Sequence, residues 1–170
     1  MLKIVTELGK MRFSELMEVY REGNEENGAA FWPEEPQGRQ LQLAEESFYG
    51  YLADVFFAIP GARYVLWQEG ERYISALRLE PYRDGLLLEA LETRPAYRHR
   101  GYGSRLVRGV QEALGKEGPV RLYSHVSRSN AASMRLHLSC GFRRVSDCAV
   151  YVDGSVNRKA DTLLYTAGTE

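Results

Sequence analysis

The sequence predicts an α/β protein of the α+β kind, in which a mixed, mostly antiparallel seven-stranded sheet is flanked by about four helices within a single domain, residues 1–170. Three observations predict it. Seven stretches have strand character and four carry apolar residues at helical spacing. Three short turn signals, Glu69-Gly70-Glu71, Asp84-Gly85 and Asp153-Gly154, join neighbouring strands as hairpins. The 170 residues, 44% hydrophobic and 26% charged, are enough for one substantial core and show no repeat, linker or low-complexity tract.

In chain order, Leu2 and Ile4 alternate with polar residues as a first strand. Ser14 begins a helix with Leu16, Met17, Val19 and Tyr20 on its apolar side, ending near Gly23. Gly23 to Gly38 reads as a loop of Gly, Pro, Asn and Glu that carries Phe31 and Trp32. A second helix runs from Gln40 to Phe57, with Leu41, Ala44, Phe48, Leu52 and Val55 as its stripe and Pro60-Gly61 as its stop. Tyr64 to Gln68, Arg72 to Leu79 and Leu86 to Leu91 then form a three-strand meander. A third helix (Leu106, Val107, Val110, Ala113, Leu114) leads to a strand from Val120 to His125, and Ser129 or Asn130 caps a fourth helix that ends at Cys140-Gly141. Phe142 to Val152 and Asp161 to Thr166 form the last hairpin, around Asp153-Gly154.

The stretch from Leu86 to Gln111 carries the chemistry. It reads as strand, anion-binding loop, helix. Gly101 and Gly103 leave the backbone open to close approach, so free N–H groups of the loop and first helical turn can face a phosphate oxygen. Between Arg94 and Arg108 stand five Arg, one His and no Asp or Glu, so the ligand should carry more than one phosphate. A dinucleotide GxGxxG fails at Leu106, and GxxxxGK[ST] is absent. What fits is RxxGxG, with Arg98, Gly101 and Gly103 in register. A second motif is Asn130, Ser133, His137 and Gly141-Phe142.

With these two motifs and this element order the chain resembles the GNAT superfamily of acetyl-CoA-dependent N-acetyltransferases over nearly all its length. The one departure is His137, where members commonly have Tyr. The resemblance implies direct acetyl transfer from acetyl-CoA, as cosubstrate, to a primary amine. It implies that Arg98, His99, Arg100, Gly101, Tyr102, Gly103 and Ser104 hold the pyrophosphate. The strand end Leu91, Glu92 and Thr93 would pair with the pantetheine arm and stabilise the thioester oxygen through backbone N–H groups. Asn130 is expected to contact the coenzyme.

A carboxylate inside an apolar strand costs desolvation unless it is paired, hydrated or used. Glu89 is that residue and the expected general base. Strict alternation puts it on one face with Leu87, Leu91 and Thr93, and puts Glu92 on the other. His137 is either the acid that protonates the leaving thiolate or a packing residue beside a thiolate that departs unaided.

Net charge divides sharply, residues 1–92 standing near −8 and 93–146 near +9. The acidic part could attract a cationic amine or merely decorate helix faces, while the basic part holds the phosphate loop. Glu34, Glu35, Glu45, Trp32 and Tyr49 are candidate acceptor contacts, and a homodimer is compatible with the sequence. Basic charge without a recognition motif argues against nucleic acid as partner. No apolar run approaches the ~20 residues of a membrane span, and MLKIVTELGK reads as strand rather than signal peptide, so a cytoplasmic location is expected. Cys140 and Cys148 make no disulfide framework or zinc pattern, and no metal is expected. The reading of a different class is a non-catalytic acyl-CoA sensor on the same fold.

Overall fold

The structure, a computed structural model, describes residues 1–168. Its strands are β1 (Leu2–Val5), β2 (Arg63–Glu69), β3 (Arg72–Tyr82), β4 (Gly85–Thr93), β5 (Val120–Ser127), β6 (Arg143–Ser146), β7 (Ala149–Val150), β8 (Val156–Asn157) and β9 (Ala160–Ala167). Its helices are α1 (Phe13–Val19), α2 (Arg21–Phe31), α3 (Gln37–Asp54), α4 (Tyr102–Glu117) and α5 (Ala131–Ser139). A seven-stranded sheet runs in the order β1-β2-β3-β4-β5-β9-β6, and β7 pairs with β8 apart from it. Every neighbouring pair is antiparallel except β4 and β5.

The expected mixed, mostly antiparallel sheet is therefore present, with five helices instead of four. The fifth lies where Gly, Asn and Glu suggested a loop: residues 21–31 are helical, and Trp32 to Pro36 alone connect α2 to α3. Composition misleads here because two of its poor helix formers are packing devices. A Cβ on Gly28 would stand 2.6 Å from the Gln40 carbonyl oxygen, so glycine is what lets α2 lie against α3. Asn24 is buried, its Nδ2 donating to the Met17 sulfur at 3.3 Å. The last hairpin also differs. The turn at Asp153-Gly154 closes the small β7–β8 ribbon, while β6 pairs with β9 across that excursion.

Two cores sandwich the sheet. On one face Val65, Leu77, Leu79 and Leu88 pack under Leu106, Val107, Val110 and Leu114 of α4. On the other, Tyr64, Leu66, Tyr73 and Ala76 meet Leu16, Met17 and Val19 of α1, Leu52 of α3 and Phe56 just beyond it. Burying a Leu or Val side chain is worth roughly 1.5–3 kcal/mol, so both faces are strongly held.

Two irregularities place the site. β4 and β5 pair only over Leu86–Leu88 and Leu122–Ser124, although both strands run on to Thr93 and Ser127. Beyond Leu88 the sheet gapes. In the same place β4 bulges against β3: Arg78 opposes Glu89 and Ala76 opposes Glu92, leaving Ala90 and Leu91 across from Leu77 alone. Ala90 takes φ 50°, a left-handed conformation costly for any residue but glycine.

Candidate active site

The gap between β4 and β5 opens onto the N-terminus of α4, and together they form a cleft of about 670 Å³. Leu91, Glu92 and Thr93 line it from β4; Arg98, His99, Gly101, Tyr102, Gly103 and Ser104 from the loop and first helical turn; and Asn130 from the start of α5. Ten of the eleven expected coenzyme-contacting residues thus share one cavity. The eleventh, Arg100, does not. Its guanidinium lies 5.6 Å from the Tyr97 ring centroid, in an adjoining cleft with Arg21, Arg72 and Arg94. Ser133 of the second motif also lines this cleft, as does Arg135 of α5, which the sequence had not singled out.

Backbone, more than side-chain charge, makes this cleft receptive to anions. Gly101 sits at the cap of α4 with φ 78° and no side chain capping the helix. The N–H groups of Tyr102, Gly103 and Ser104 lack the intrahelical partners that later turns have, and the helix dipole adds positive potential. The arginines are busier than expected. Arg98 is tied to Glu22 at 2.6 Å, to Glu92 at 3.1 Å and, through Nε, to the Thr93 carbonyl at 3.2 Å. It clamps the loop to β4 and α2. Arg105 lies over Tyr102 and Trp67, 3.9 Å from Glu69.

The bulge corrects the expected strand faces. Strict alternation put Glu89 with Leu91 and Thr93 and opposed it to Glu92. In the structure Leu91 packs into the α4-side core, whereas Glu89 and Glu92 lie opposite Arg78 and Ala76 on the α1–α3 side. The extra residue resets the phase, so both carboxylates share one face. Tyr20 holds the bulge from that face, its hydroxyl donating to the Ala90 carbonyl at 2.6 Å.

Glu89 is half-buried and 3.8 Å from Arg78. Beside it stands Glu80, which sequence reasoning missed because Pro81 follows it and the strand had been ended at Leu79. Glu80 is 7% exposed. Burial first, then the charge of Glu89 and a hydrogen bond with it, push the Glu80 carboxyl up from 4.5 to about 7, Arg78 pulling the other way. The Glu80 carboxyl therefore exchanges its proton near neutrality. On the same face a pocket of about 160 Å³ opens between α2 and α3, lined by Phe31, Trp32, Phe48, Tyr51, Asn24, Asn27 and Ser47, with Arg78 reaching into it. Glu34, Glu35, Glu45 and Tyr49 are not among its lining residues.

His137 lies outside the cleft lining and is 2% exposed. Its Nδ1 is 2.8 Å from the Ser133 carbonyl and its Nε2 3.0 Å from the Ser124 hydroxyl. A carbonyl only accepts, so Nδ1 carries the proton and Nε2 accepts from Ser124. Burial holds this imidazole below its ordinary 6.5. Asn130 accepts from the Ser133 N–H at 3.0 Å and so caps α5 while lining the cleft. Among the described residues no cluster of His, Cys, Asp and Glu is arranged for a metal, and no helix is long and apolar enough to cross a membrane.

The model of the acetyltransferase (GNAT) family matches residues 15–142. The chain belongs to that family. A comparison with curated proteins finds no match. Among solved structures, this GNAT chain is similar to the ribosomal-protein-S18-alanine N-acetyltransferase of Escherichia coli, with 19% identity, a TM-score of 0.59, and 100% of this chain and 96% of that one covered. It is similar to the PaiA N-acetyltransferase of Thermoplasma acidophilum, solved with coenzyme A, at 16% identity, TM-score 0.59 and 98% and 99% coverage. PH1933 of Pyrococcus horikoshii OT3 aligns at 17% identity, TM-score 0.64 and 99% and 100% coverage. At these identities the likeness is one of fold, and it spans the whole GNAT architecture.

Proposed function

We propose that this GNAT protein moves an acetyl group from acetyl-CoA directly to the primary amine of a small molecule or peptide. The observation that carries this reading is the single cleft in which the parted β4–β5 edge meets the uncapped N-terminus of α4. The pantetheine arm adds to the free edge of β4 at Leu91–Thr93, and the pyrophosphate rests on the Gly101–Ser104 backbone. The amine arrives from the α1–α3 side. Its nitrogen attacks the thioester carbon, its proton passes to Glu89, and the C–S electron pair leaves with sulfur as the CoA thiolate. Backbone N–H groups near the bulge receive the developing negative charge on oxygen. Glu80, whose carboxyl burial and the Glu89 charge push up to about 7, stands beside that base.

His137, with its one N–H bonded to a carbonyl of its own helix, serves packing, and the thiolate departs without an acid. That same buried His favours the second reading, a non-catalytic acyl-CoA sensor. Both readings take the chain as one domain. Thiol release from acetyl-CoA over an amine panel, run for wild type, Glu89→Gln and His137→Asn, separates them. Expected are amine-dependent release, a loss of ~100-fold in Glu89→Gln at unchanged acetyl-CoA affinity, and an unaltered pH–rate profile in His137→Asn. Acetyl-CoA binding without release with any amine would transfer the case to the sensor.

A further inference from the structure

Arg78 is a poorly satisfied charge near the interior. Its side chain is 17% exposed, and its ion-pair partner Glu89 stands at 3.8 Å, too far for a hydrogen bond. Its Nε is buried with no hydrogen-bond partner among the described residues. The guanidinium stacks 4.9 Å from the Tyr51 ring centroid and reaches the pocket between α2 and α3. A half-satisfied guanidinium is expensive to bury and is a fixed fork of donors shaped for a carboxylate.

The rest of the pocket is aromatic on one part of its wall and polar, through Asn24, Asn27 and Ser47, on another. Phe31, Trp32, Phe48 and Tyr51 supply aromatic walls, and about 160 Å³ is room for a benzyl or isobutyl group. The acids named as candidate contacts, Glu34, Glu35 and Glu45, do not line this pocket, and five others of the acidic segment are paired: Glu15 with Arg94, Glu18 and Glu25 with Arg21, Glu22 with Arg98, Glu46 with Arg39. With Glu80 protonated, Arg78 and Glu89 cancel. A zwitterion entering this neutral pair can set its carboxylate on Arg78 and its ammonium toward Glu89.

We infer that the acceptor is a free α-amino acid with an apolar or aromatic side chain, its carboxylate bound by Arg78 and its side chain seated among Phe31, Trp32, Phe48 and Tyr51. This rests on the acetyl-transfer reading above and narrows it. Transfer then takes one ammonium proton onto Glu89 to free the nitrogen lone pair, forms the amide N–C bond at the α-nitrogen, breaks the thioester C–S bond with its electron pair leaving on the CoA sulfur, and releases the second nitrogen proton to that thiolate.

The test compares phenylalanine, phenylalanine amide, phenethylamine and spermine as acceptors in the thiol-release assay, for wild type, Arg78→Lys and Arg78→Met. Phenylalanine is expected to exceed phenethylamine and the amide by ~100-fold in kcat/KM, because a buried donor set rejects the ligand that leaves it unpaired. That ratio should fall to within ~3-fold in Arg78→Met and stand between in Arg78→Lys. Spermine or phenethylamine matching phenylalanine in wild type overturns the assignment, whether or not the variants fold. So does a ratio that survives Arg78→Met. Calorimetric titration of phenylalanine into the CoA-saturated protein separates the two levels of the argument. Saturable binding that Arg78→Met abolishes, without thiol release, upholds the pocket and sinks acetyl transfer. Absence of both binding and turnover sinks the pocket.

Discussion

The cleft at α4 and the pocket between α2 and α3 are made of different material. The first is a backbone site, whose anion-receptive groups are the N–H donors of Gly101–Ser104 at a helix end, while its best-placed arginine, Arg98, is spent on Glu22, Glu92 and a carbonyl. The second is a side-chain site. Arg78 comes from β3, Tyr51 and Phe48 from α3, and Phe31 and Trp32 from the end of α2 and the residue after it. The backbone site needs a turn geometry and tolerates almost any side chain, so it suits a ligand common to a whole family. The side-chain site can be rewritten residue by residue, which suits the proposed role in acceptor choice.

Substitutions should therefore damage the two regions separately. The largest effect after loss of Glu89 is expected from Gly101→Ala, which forces a Cβ into φ 78° and so disturbs the loop. Acetyl-CoA affinity measured by calorimetry should drop ~10-fold, the equivalent of about 1.4 kcal/mol, with the order of preference among amines unchanged. An altered acceptor order would break the division between the sites.

Gly28→Ala comes next and strikes the other side. Its new Cβ meets the Gln40 backbone, which cannot swing aside, so α2 must lift from α3 at a cost of about 1–3 kcal/mol. The melting temperature should fall by about 2–4 °C per kcal/mol lost, and acceptor KM should rise while acetyl-CoA affinity holds. Weaker coenzyme binding instead would mean that α2 governs both sites.

Glu80→Gln should give the smallest change and sharpen the acceptor side alone. Because the folded protein holds the Glu80 proton up to about 7 against an ordinary 4.5, it binds more protons than the unfolded chain across that interval. Wild-type stability from this group is therefore complete below about 4.5 and is lost as pH rises through about 7. The variant lacks the loss. Thermal melts should match wild type at pH 4.5 and exceed it at pH 8; equal melts at both would show that folding does not hold the Glu80 proton.

Both the sheet and the glycine loop at the start of α4 were legible because their signals are short-range. Period-two and period-3.6 patterns located β2, β3, α3 and α4, and RxxGxG sits within six consecutive residues. What was illegible required knowing a distant partner. Asn24 and Gly28 look like loop residues until Met17 and Gln40 are set against them. Glu80 and Glu89 are nine positions apart and meet only through the hairpin. Glu92 was put on the wrong face because a left-handed alanine leaves no mark in a one-letter sequence, and Arg78 drew no notice in a strand that also needed polar residues at its ends.

To the side chains around it, Ala90 is a silent letter. Strike it out and the alternation reads straight through: Leu87, Glu89 and Glu92 still fall on one side, Leu88, Leu91 and Thr93 on the other. Its entire contribution is length. One surplus residue gives β4 a longer path than β3 takes beside it, as the outer rail of a curved track is longer than the inner. A chain without it would keep a correctly ordered core, and the carbonyl that Tyr20 grips would be gone along with the bend.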